Sequence, residues 1–333
     1  MNERCKPKQV ILHRSTFMLR AVMMALAIAA AGASAQPYPS KPVRIVVPFG
    51  PGGPTDLLAR VVGQKLTEAW GQQVIIENRA GANGLVGAEV VAKSPPDGYT
   101  LLLGTNGTHG MNSSLFSKVP YDPVKDFAPI TRLALQYFLL VCHPSLPARS
   151  VRDLIALARA RPGQIVWAYG GSPTQLGAEL FKKEAKVSVI VVPYKGNAPA
   201  VTSVVSGEAS IVFGGIAQTN PQVKAGRLRA LGMAGAQRSQ VMPDVPTIAE
   251  SGLPGFEVSA WYGLLAPAAT PRAIVDRLNG EAMRMLKLPD VQQRLRGEAF
   301  ETPADTPEAF AAVIRAELAK WPTVVKEAGI KPE

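Results

Sequence analysis

Cysteine and histidine are scarce in this chain. Its 333 residues include two cysteines and three histidines, and Cys142 is the only cysteine after residue 35. A single cysteine excludes an intramolecular disulfide in that part of the chain. His109 and His143 have neither a cysteine pair nor an HExxH motif near them, so we expect no metal site. Cys142 and His143 are neighbours in a strand-forming run, where adjacent side chains point to opposite faces, so they are a poor catalytic pair.

Nucleotide-binding and hydrolase motifs are also missing. The glycine-rich residues 50–55 place Thr55 where a dinucleotide-binding fingerprint needs its third glycine. The chain has no Walker lysine motif and no G-x-S-x-G motif. We therefore expect a binding protein that is not an enzyme and holds no cofactor. An exported hydrolase is the main enzyme alternative.

Clustered positive charge is absent outside the leader. The net charge of the chain is +11, and residues 1–35 contain five Lys/Arg and one Glu, which leaves +7 for the remainder. Those charges are scattered and not interleaved with aromatic residues, so we expect no nucleic-acid partner. A mildly positive protein attracts small anions.

The one long apolar run lies close to the start of the chain. It spans residues 21–31, follows a basic leader, and precedes Ala33-Ser34-Ala35, which fits an A-x-A cleavage site. The run is shorter than the roughly 20 residues that cross a bilayer. We predict that residues 1–35 are a cleaved signal peptide, that the mature protein begins at Gln36, and that it resides in the periplasm. An uncleaved anchor helix is the alternative.

Short β-branched runs alternate with amphipathic helical runs along the rest of the chain, which is typical of an α/β fold with parallel sheets. Two longer apolar strands, at residues 131–141 and 257–265, are suited to connect two such units. We predict a hinged clamshell of two α/β domains joined by two crossing strands. Its first domain comprises residues 36–136 plus 254–333, and its second comprises residues 137–253.

The clearest candidate site is a strand, turn and helix at residues 43–56. A β-branched strand leads into Gly52 and Gly53, which allow a ligand to approach the main chain closely. Pro54 is suited to a first helical position, and Thr55 or Asp56 can satisfy first-turn amides. A glycine-lined helix N-terminus binds anions, so we expect a carboxylate here. The candidate ligand-binding residues of this first loop are Phe49, Gly52, Gly53, Pro54, Thr55 and Asp56. Asp56 alternatively serves only as a helix cap.

A second turn, at residues 170–175, repeats the order of two glycines followed by Pro and Thr. In the predicted clamshell the two turns face each other across the cleft. Ligands of open α/β sheets bind at the carboxyl ends of strands, so residues that directly follow the other predicted strands are also candidates for ligand contact. The further candidates are Thr105, Asn106, Gly171, Ser172, Thr174, Gln175, Gly196 and Gly215. Lys195 is expected to be solvated or on the hinge side.

Several segments together resemble a known family. They are PVRIVVPFGPGGPTD (42–56), PDGYTLL (96–102), DFAPI (126–130), VPYKG (192–196), PDVPTIAE (243–250) and WYGLLAP (261–267). Over essentially the whole mature chain the sequence is similar to the Bug family of periplasmic solute-binding proteins, the extracytoplasmic receptors of tripartite tricarboxylate transporters. The resemblance departs at Gly50, where the family commonly has Pro, and at Thr174-Gln175, where it often has Ser or Gly before His.

The resemblance implies a periplasmic-binding-protein fold of type II and a small organic carboxylate as ligand, held between the two strand-turn-helix loops. It also implies membrane permease subunits of a tripartite tricarboxylate transporter as partners. We expect a monomer, because closure needs free domains. The sequence leaves two points open: which carboxylate is bound, and whether the loaded protein serves transport or acts as a periplasmic sensor subunit that presents its ligand to a signalling partner.

Overall fold

A computed structural model gives the structure of residues 38–332. The predicted signal peptide, residues 1–35, and its cleavage point before Gln36 lie outside the described residues. Among the residues described, no helix is both long and apolar enough to cross a membrane.

The strands alternate with helices along most of the chain, as expected for an α/β fold. The strands are β1 (Val43–Val47), β2 (Val74–Asn78), β3 (Thr100–Thr105), β4 (Phe127–Cys142), β5 (Val166–Tyr169), β6 (Ile190–Pro193), β7 (Ile211–Gly215), β8 (Arg229–Met233), β9 (Ser259–Pro267) and β10 (Phe300–Glu301). The helices are α1 (Pro54–Trp70), α2 (Leu85–Ala92), α3 (Asn112–Leu115), α4 (Val151–Ala160), α5 (Ser172–Ala185), α6 (Asn197–Val205), α7 (Ile216–Lys224), α8 (Arg272–Met285), α9 (Pro289–Gly297) and α10 (Pro307–Glu327). One π-helical turn, Gly107–Met111, precedes α3.

The strands are hydrogen-bonded in the order β2-β1-β3-β9-β4-β7-β5-β6, with β8 and β10 also paired to β4. The pairs β1–β2, β1–β3, β5–β6 and β5–β7 are parallel, whereas β4 and β9 are antiparallel to their neighbours. Crossover helices join the parallel strands. Strands β1, β3 and β7 are buried along nearly their whole length, whereas the edge strands β2 and β6 are partly exposed. The mixed α/β fold class is confirmed.

Strand β4 connects the two parallel groups. Its residues 127–137 pair with β9, and its residues 138–142 pair with β7 and β8. We call the strands on the β9 side the first sheet and those on the β7 side the second sheet. A second connection lies just before β9, where the Val258 N–H donates to the Ala234 carbonyl at 2.7 Å. The predicted domain boundary after residue 136 stays a prediction, and it falls where β4 changes partners.

Each sheet has its own hydrophobic core. The first contains Val46, Leu102, Trp261 and Phe310, and the second is built from residues such as Leu139, Val141, Val212 and Met233. Burial of apolar side chains at two separate centres leaves the strand ends between them free to form a cleft.

Several elements differ from the sequence-based prediction. Strand β4 begins at Phe127 rather than residue 131. Pro129 is the kind of residue that usually ends a central strand, but here it lies at an irregularity in the pairing with β9. Helix α5 begins at Ser172, inside the turn predicted for residues 170–175, since Pro173 fits the first turn. Helices α7 and α9 were not predicted; α7 tolerates Pro221, which sequence rules treat as a helix breaker.

Candidate ligand-binding site

A cavity of about 650 Å³ lies between the two sheets, at the carboxyl ends of β1, β3, β5, β6 and β7. This is the edge at which α/β sheets bind ligands, because the loops that follow parallel strands converge there. The first loop, residues 48–53, borders it from the first sheet, and the second loop, residues 170–171, borders it from the second.

The first loop delivers the N-terminus of helix α1 to the cavity. Gly52 has a φ of +85°, which favours glycine, whereas Gly53 has an ordinary φ of −83°. No side chain of the described residues caps α1, and Pro54 has no N–H of its own. The backbone N–H groups of Gly53 and Thr55 at the start of α1 are therefore available to a bound anion.

Asp56 holds this loop in shape. Its carboxylate accepts hydrogen bonds from the Gly52 N–H (3.0 Å), from Arg60 (2.9 and 3.0 Å) and from Asn78 (3.0 Å). Burial raises the pKa of Asp56, but the hydrogen bonds from Arg60, Gly52 and Asn78 outweigh it and hold the pKa below its ordinary value. Asn78 also donates to the Phe49 carbonyl at 3.1 Å, so the loop is tied at both ends.

The second loop delivers helix α5 in the same way. Its N-cap, Gly171, provides no side-chain cap. The Thr174 hydroxyl accepts from the Gly170 N–H at 3.1 Å and donates to the Gly171 carbonyl at 3.0 Å, so it shapes the turn. A Cβ at Gly170 would lie 2.1 Å from the backbone of Gly196, which brings the β6–α6 loop against the second loop. This close approach requires glycine.

Buried amides and a tyrosine form the floor. The Tyr262 hydroxyl donates to Gln136 Oε1 at 3.0 Å, which leaves the Gln136 NH2 group as the end that can serve a ligand. Burial raises the pKa of Tyr262 above its ordinary value, so the phenol stays protonated. Asn106, 1% exposed, donates to the Ser259 carbonyl at 2.7 Å, and its Oδ1 has no hydrogen-bond partner among the described residues. Asn197 braces the opposite side, donating to the Phe213 carbonyl at 2.9 Å.

Lys195 is the one formally charged side chain among the described residues that line the cavity. It extends from the β6–α6 loop and is exposed. No Asp or Glu shares that lining, so the lysine and the positive ends of two helix dipoles act in the same direction. The cavity therefore favours a negatively charged occupant.

Most of the candidate residues lie on this cavity. The lining includes Phe49, Gly52, Gly53, Pro54, Thr55, Thr105, Asn106, Gly171, Ser172, Thr174, Gly196 and Gly215. Asp56 and Gln175 are not part of it: the Asp56 carboxylate accepts hydrogen bonds from Arg60 and the Gly52 amide, and Gln175 follows Thr174, the last lining residue of α5. Their ligand contacts stay predictions.

Sequence reasoning missed several lining residues, namely Asn83, Gln136, Asn197, Gln218 and Tyr262, and it expected Lys195 to be solvated or on the hinge side. Lys195 and Asn197 flank Gly196, so their position after a strand was a usable signal. Gln136 and Tyr262 lie inside strands and carried none.

The described residues include no group of His, Cys, Asp and Glu able to hold a metal ion. His109 is fully buried, and desolvation lowers its pKa to about 3, so it is neutral. Its ring lies among Tyr121, Phe127 and Trp261, and Thr108 Oγ1 contacts its Nδ1 at 2.9 Å. His109 is therefore a core residue.

Residues 58–330 match the model of the tripartite tricarboxylate transporter family receptor. The chain belongs to this family. It is therefore a member of a solute-binding receptor family, as the resemblance of its motifs implied. The protein BugT of Bordetella pertussis is 35% identical to this receptor over 313 residues, covering 93% of this chain and 96% of BugT.

Solved structures agree with the family assignment. The Rhodopseudomonas palustris protein Rpa4515 with adipate has a TM-score of 0.80 and 38% identity to this receptor, covering 89% of this chain and 100% of its own. MatC from the same organism, with bound malate, has a TM-score of 0.76 and 35% identity, covering 86% of this chain and 100% of its own.

Proposed function

We propose that this receptor captures a small organic carboxylate in the cavity between its two sheets and delivers it to the permease subunits of a tripartite tricarboxylate transporter. The observation that carries the proposal is the pair of uncapped helix N-termini, α1 and α5, that border one cavity. A carboxylate has two oxygens that accept hydrogen bonds from such amides.

The charges around the cavity support an anion. Lys195 and the N-terminal ends of helices α1 and α5 are positive, and the described lining contains no acidic side chain. The amides of Gln136 and Asn106 add neutral hydrogen-bonding groups for the rest of the solute. Adipate and malate, the solutes in the two R. palustris structures, are both carboxylates.

Closure explains how capture is coupled to delivery. Residues 36–136 plus 254–333 act as one domain and residues 137–253 as the other, hinged where β4 changes partners. A solute that contacts both loops binds the closed arrangement more tightly than the open one, so it shifts the population toward closure. The permease then recognises the closed form.

The chain does no chemistry on its solute and acts in the periplasm after cleavage of residues 1–35. No His, Cys, Asp or Glu belongs to the described lining, so the cavity offers neither an imidazole nor a carboxylate to activate Ser172 or a water. This favours binding over hydrolysis.

A thermal-shift screen of residues 36–333 tests the proposal. The probes are acetate, benzoate, malate, adipate and citrate, each compared with its carboxamide. A ligand at a hundredfold excess over Kd stabilises the native state by about 2.7 kcal/mol. We expect at least one acid to raise the melting temperature while its amide does not. The same result is sought after denaturation and refolding, which removes a co-purified ligand. Refolded protein that responds to none of the acids contradicts the proposal.

A further inference from the structure

Asn83 reaches across the cavity from the first sheet to the second. It lies in the turn between β2 and α2, and its Nδ2 donates a hydrogen bond to Ser172 Oγ at 3.2 Å. Ser172 is the first residue of α5 and is 4% exposed. Both residues line the same cavity. A side chain of one sheet thus meets the helix N-terminus of the other beside the anion-binding amides.

The backbone holds Asn83 in place at a cost. Residues 81–84 have four successive positive φ values: 149°, 44°, 53° and 90°. A positive φ is unfavourable for an alanine such as Ala82, whereas Asn tolerates the left-handed region better than most residues. Such strain persists where the surroundings impose it, and it concentrates at functional sites.

Two contacts impose this conformation. The buried Asn112 donates from its Nδ2 to the Asn83 carbonyl at 3.0 Å. A Cβ at Gly84 would lie 2.8 Å from Thr108 and 3.2 Å from Phe49, so the turn sits tightly against the first loop. The side chain of Asn83 is therefore aimed by its own backbone, and Phe49 of the first loop borders the same turn.

We propose that Asn83 is a latch, a positioning residue whose hydrogen bond to Ser172 stabilises the closed receptor and lengthens the residence of the bound carboxylate. The inference rests on the proposed function. Because the bond joins the two sides of the cavity, it exists only when they are close. It therefore slows opening without helping the solute to enter. Serine both donates and accepts, so either orientation of the Asn83 amide satisfies the pair.

The size of the effect follows from the position of the bond. Asn83 is exposed at the edge of the cavity, where water competes for the amide. A neutral hydrogen bond in this setting changes an equilibrium by about three- to tenfold. Affinity differences of this kind are carried mainly by the dissociation rate.

The test is a kinetic double-mutant cycle with Asn83→Gly, Ser172→Ala and the double variant. Glycine suits the positive φ of residue 83, so the first substitution removes the side chain without adding strain. The probe is the acid of the thermal-shift screen that the wild-type protein binds most tightly. Stopped-flow measurements give its association and dissociation rates.

We expect Asn83→Gly to speed dissociation about three- to tenfold, with association and ligand-free melting temperature nearly unchanged. In the Ser172→Ala background the same substitution has no further effect on dissociation, because the partner is already gone. An equal acceleration in both backgrounds, or a change in melting temperature and association alone, overturns the latch while leaving the receptor function intact. A wild-type protein that binds none of the acids overturns the receptor function, and the latch with it.

Discussion

The Gly53→Val substitution is a direct probe of the amides at the N-terminus of α1. Gly53 has a φ of −83°, which any residue adopts, and an added Cβ has no atom within 4 Å. The new side chain therefore fits the folded protein and occupies the space beside the first-turn amides. Valine is a poorer N-cap than glycine, which lowers stability by about 1 kcal/mol at most.

The expected loss of affinity follows from the hydrogen bonds that valine blocks. A hydrogen bond to a charged group contributes about 1.5–3 kcal/mol. Losing one such bond from a carboxylate to α1 raises Kd by about ten- to a hundredfold, since 1.4 kcal/mol corresponds to a factor of ten.

Isothermal titration calorimetry with the carboxylate from the thermal-shift screen measures this change. Gly280→Val is the matched control: Gly280 is exposed on α8, its Cβ also meets nothing within 4 Å, and it lies outside the cavity lining. We expect parental affinity in the control. A folded Gly53→Val protein that binds as tightly as the parent refutes the assignment of the α1 amides to the ligand.

Three further predictions concern the supporting structure. Asp56→Asn sets an NH2 group against the donors of Arg60 or the Gly52 amide, so we expect urea unfolding at pH 7 to show a loss of about 1–3 kcal/mol of stability. Since the folded pKa of Asp56 is lowered, the stability that its carboxylate contributes is lost as pH falls below about 4. A variant whose stability falls as steeply in acid as that of the parent contradicts this role. His109 stays neutral in the folded protein and takes up a proton in the unfolded chain, so the free energy of unfolding falls by about 2 kcal/mol from pH 6.5 to 5. We expect His109→Leu to flatten this pH dependence, and an unchanged slope of stability against pH means that other groups cause it. Gly170→Ala sets a Cβ 2.1 Å from the backbone of Gly196, so we expect overpacking to cost about 1–3 kcal/mol and to lower the melting temperature. The control Gly171→Ala, whose Cβ meets only Pro173 at 4.0 Å, leaves the melting temperature nearly unchanged. Equal melting temperatures for the two variants argue against the close approach.

The strand-turn-helix units were predictable because local sequence determines them. The β-branched run Val43–Val47 forms β1, and the glycines and Pro54 then specify the turn and the first position of α1. The second loop repeats these signals at residues 170–174. That the two turns face each other was inferred from the predicted clamshell, and in the structure both turns lie on the lining of one cavity.

The remaining site residues depend on tertiary structure. Gln136 lies inside a 16-residue strand, and its role depends on its contact with Tyr262, 126 residues away. Asn83 meets Ser172 only because the two sheets approach each other. Asp56 was ambiguous in sequence, since a first-turn acid suits both a cap and a ligand contact. In the structure its carboxylate accepts hydrogen bonds from Arg60 and the Gly52 amide, which favours the structural role.

We propose that main-chain amides of α1 and α5 together hold one carboxylate. Amide proton and nitrogen chemical shifts of ¹⁵N-labelled protein, titrated with the acid from the screen and separately with its carboxamide, report on each of these amides. We expect the acid to produce the largest shifts at the amides of Gly53, Thr55, Ser172 and Thr174, on both sides of the cavity. Saturable binding of the acid with no change at these four amides would contradict it.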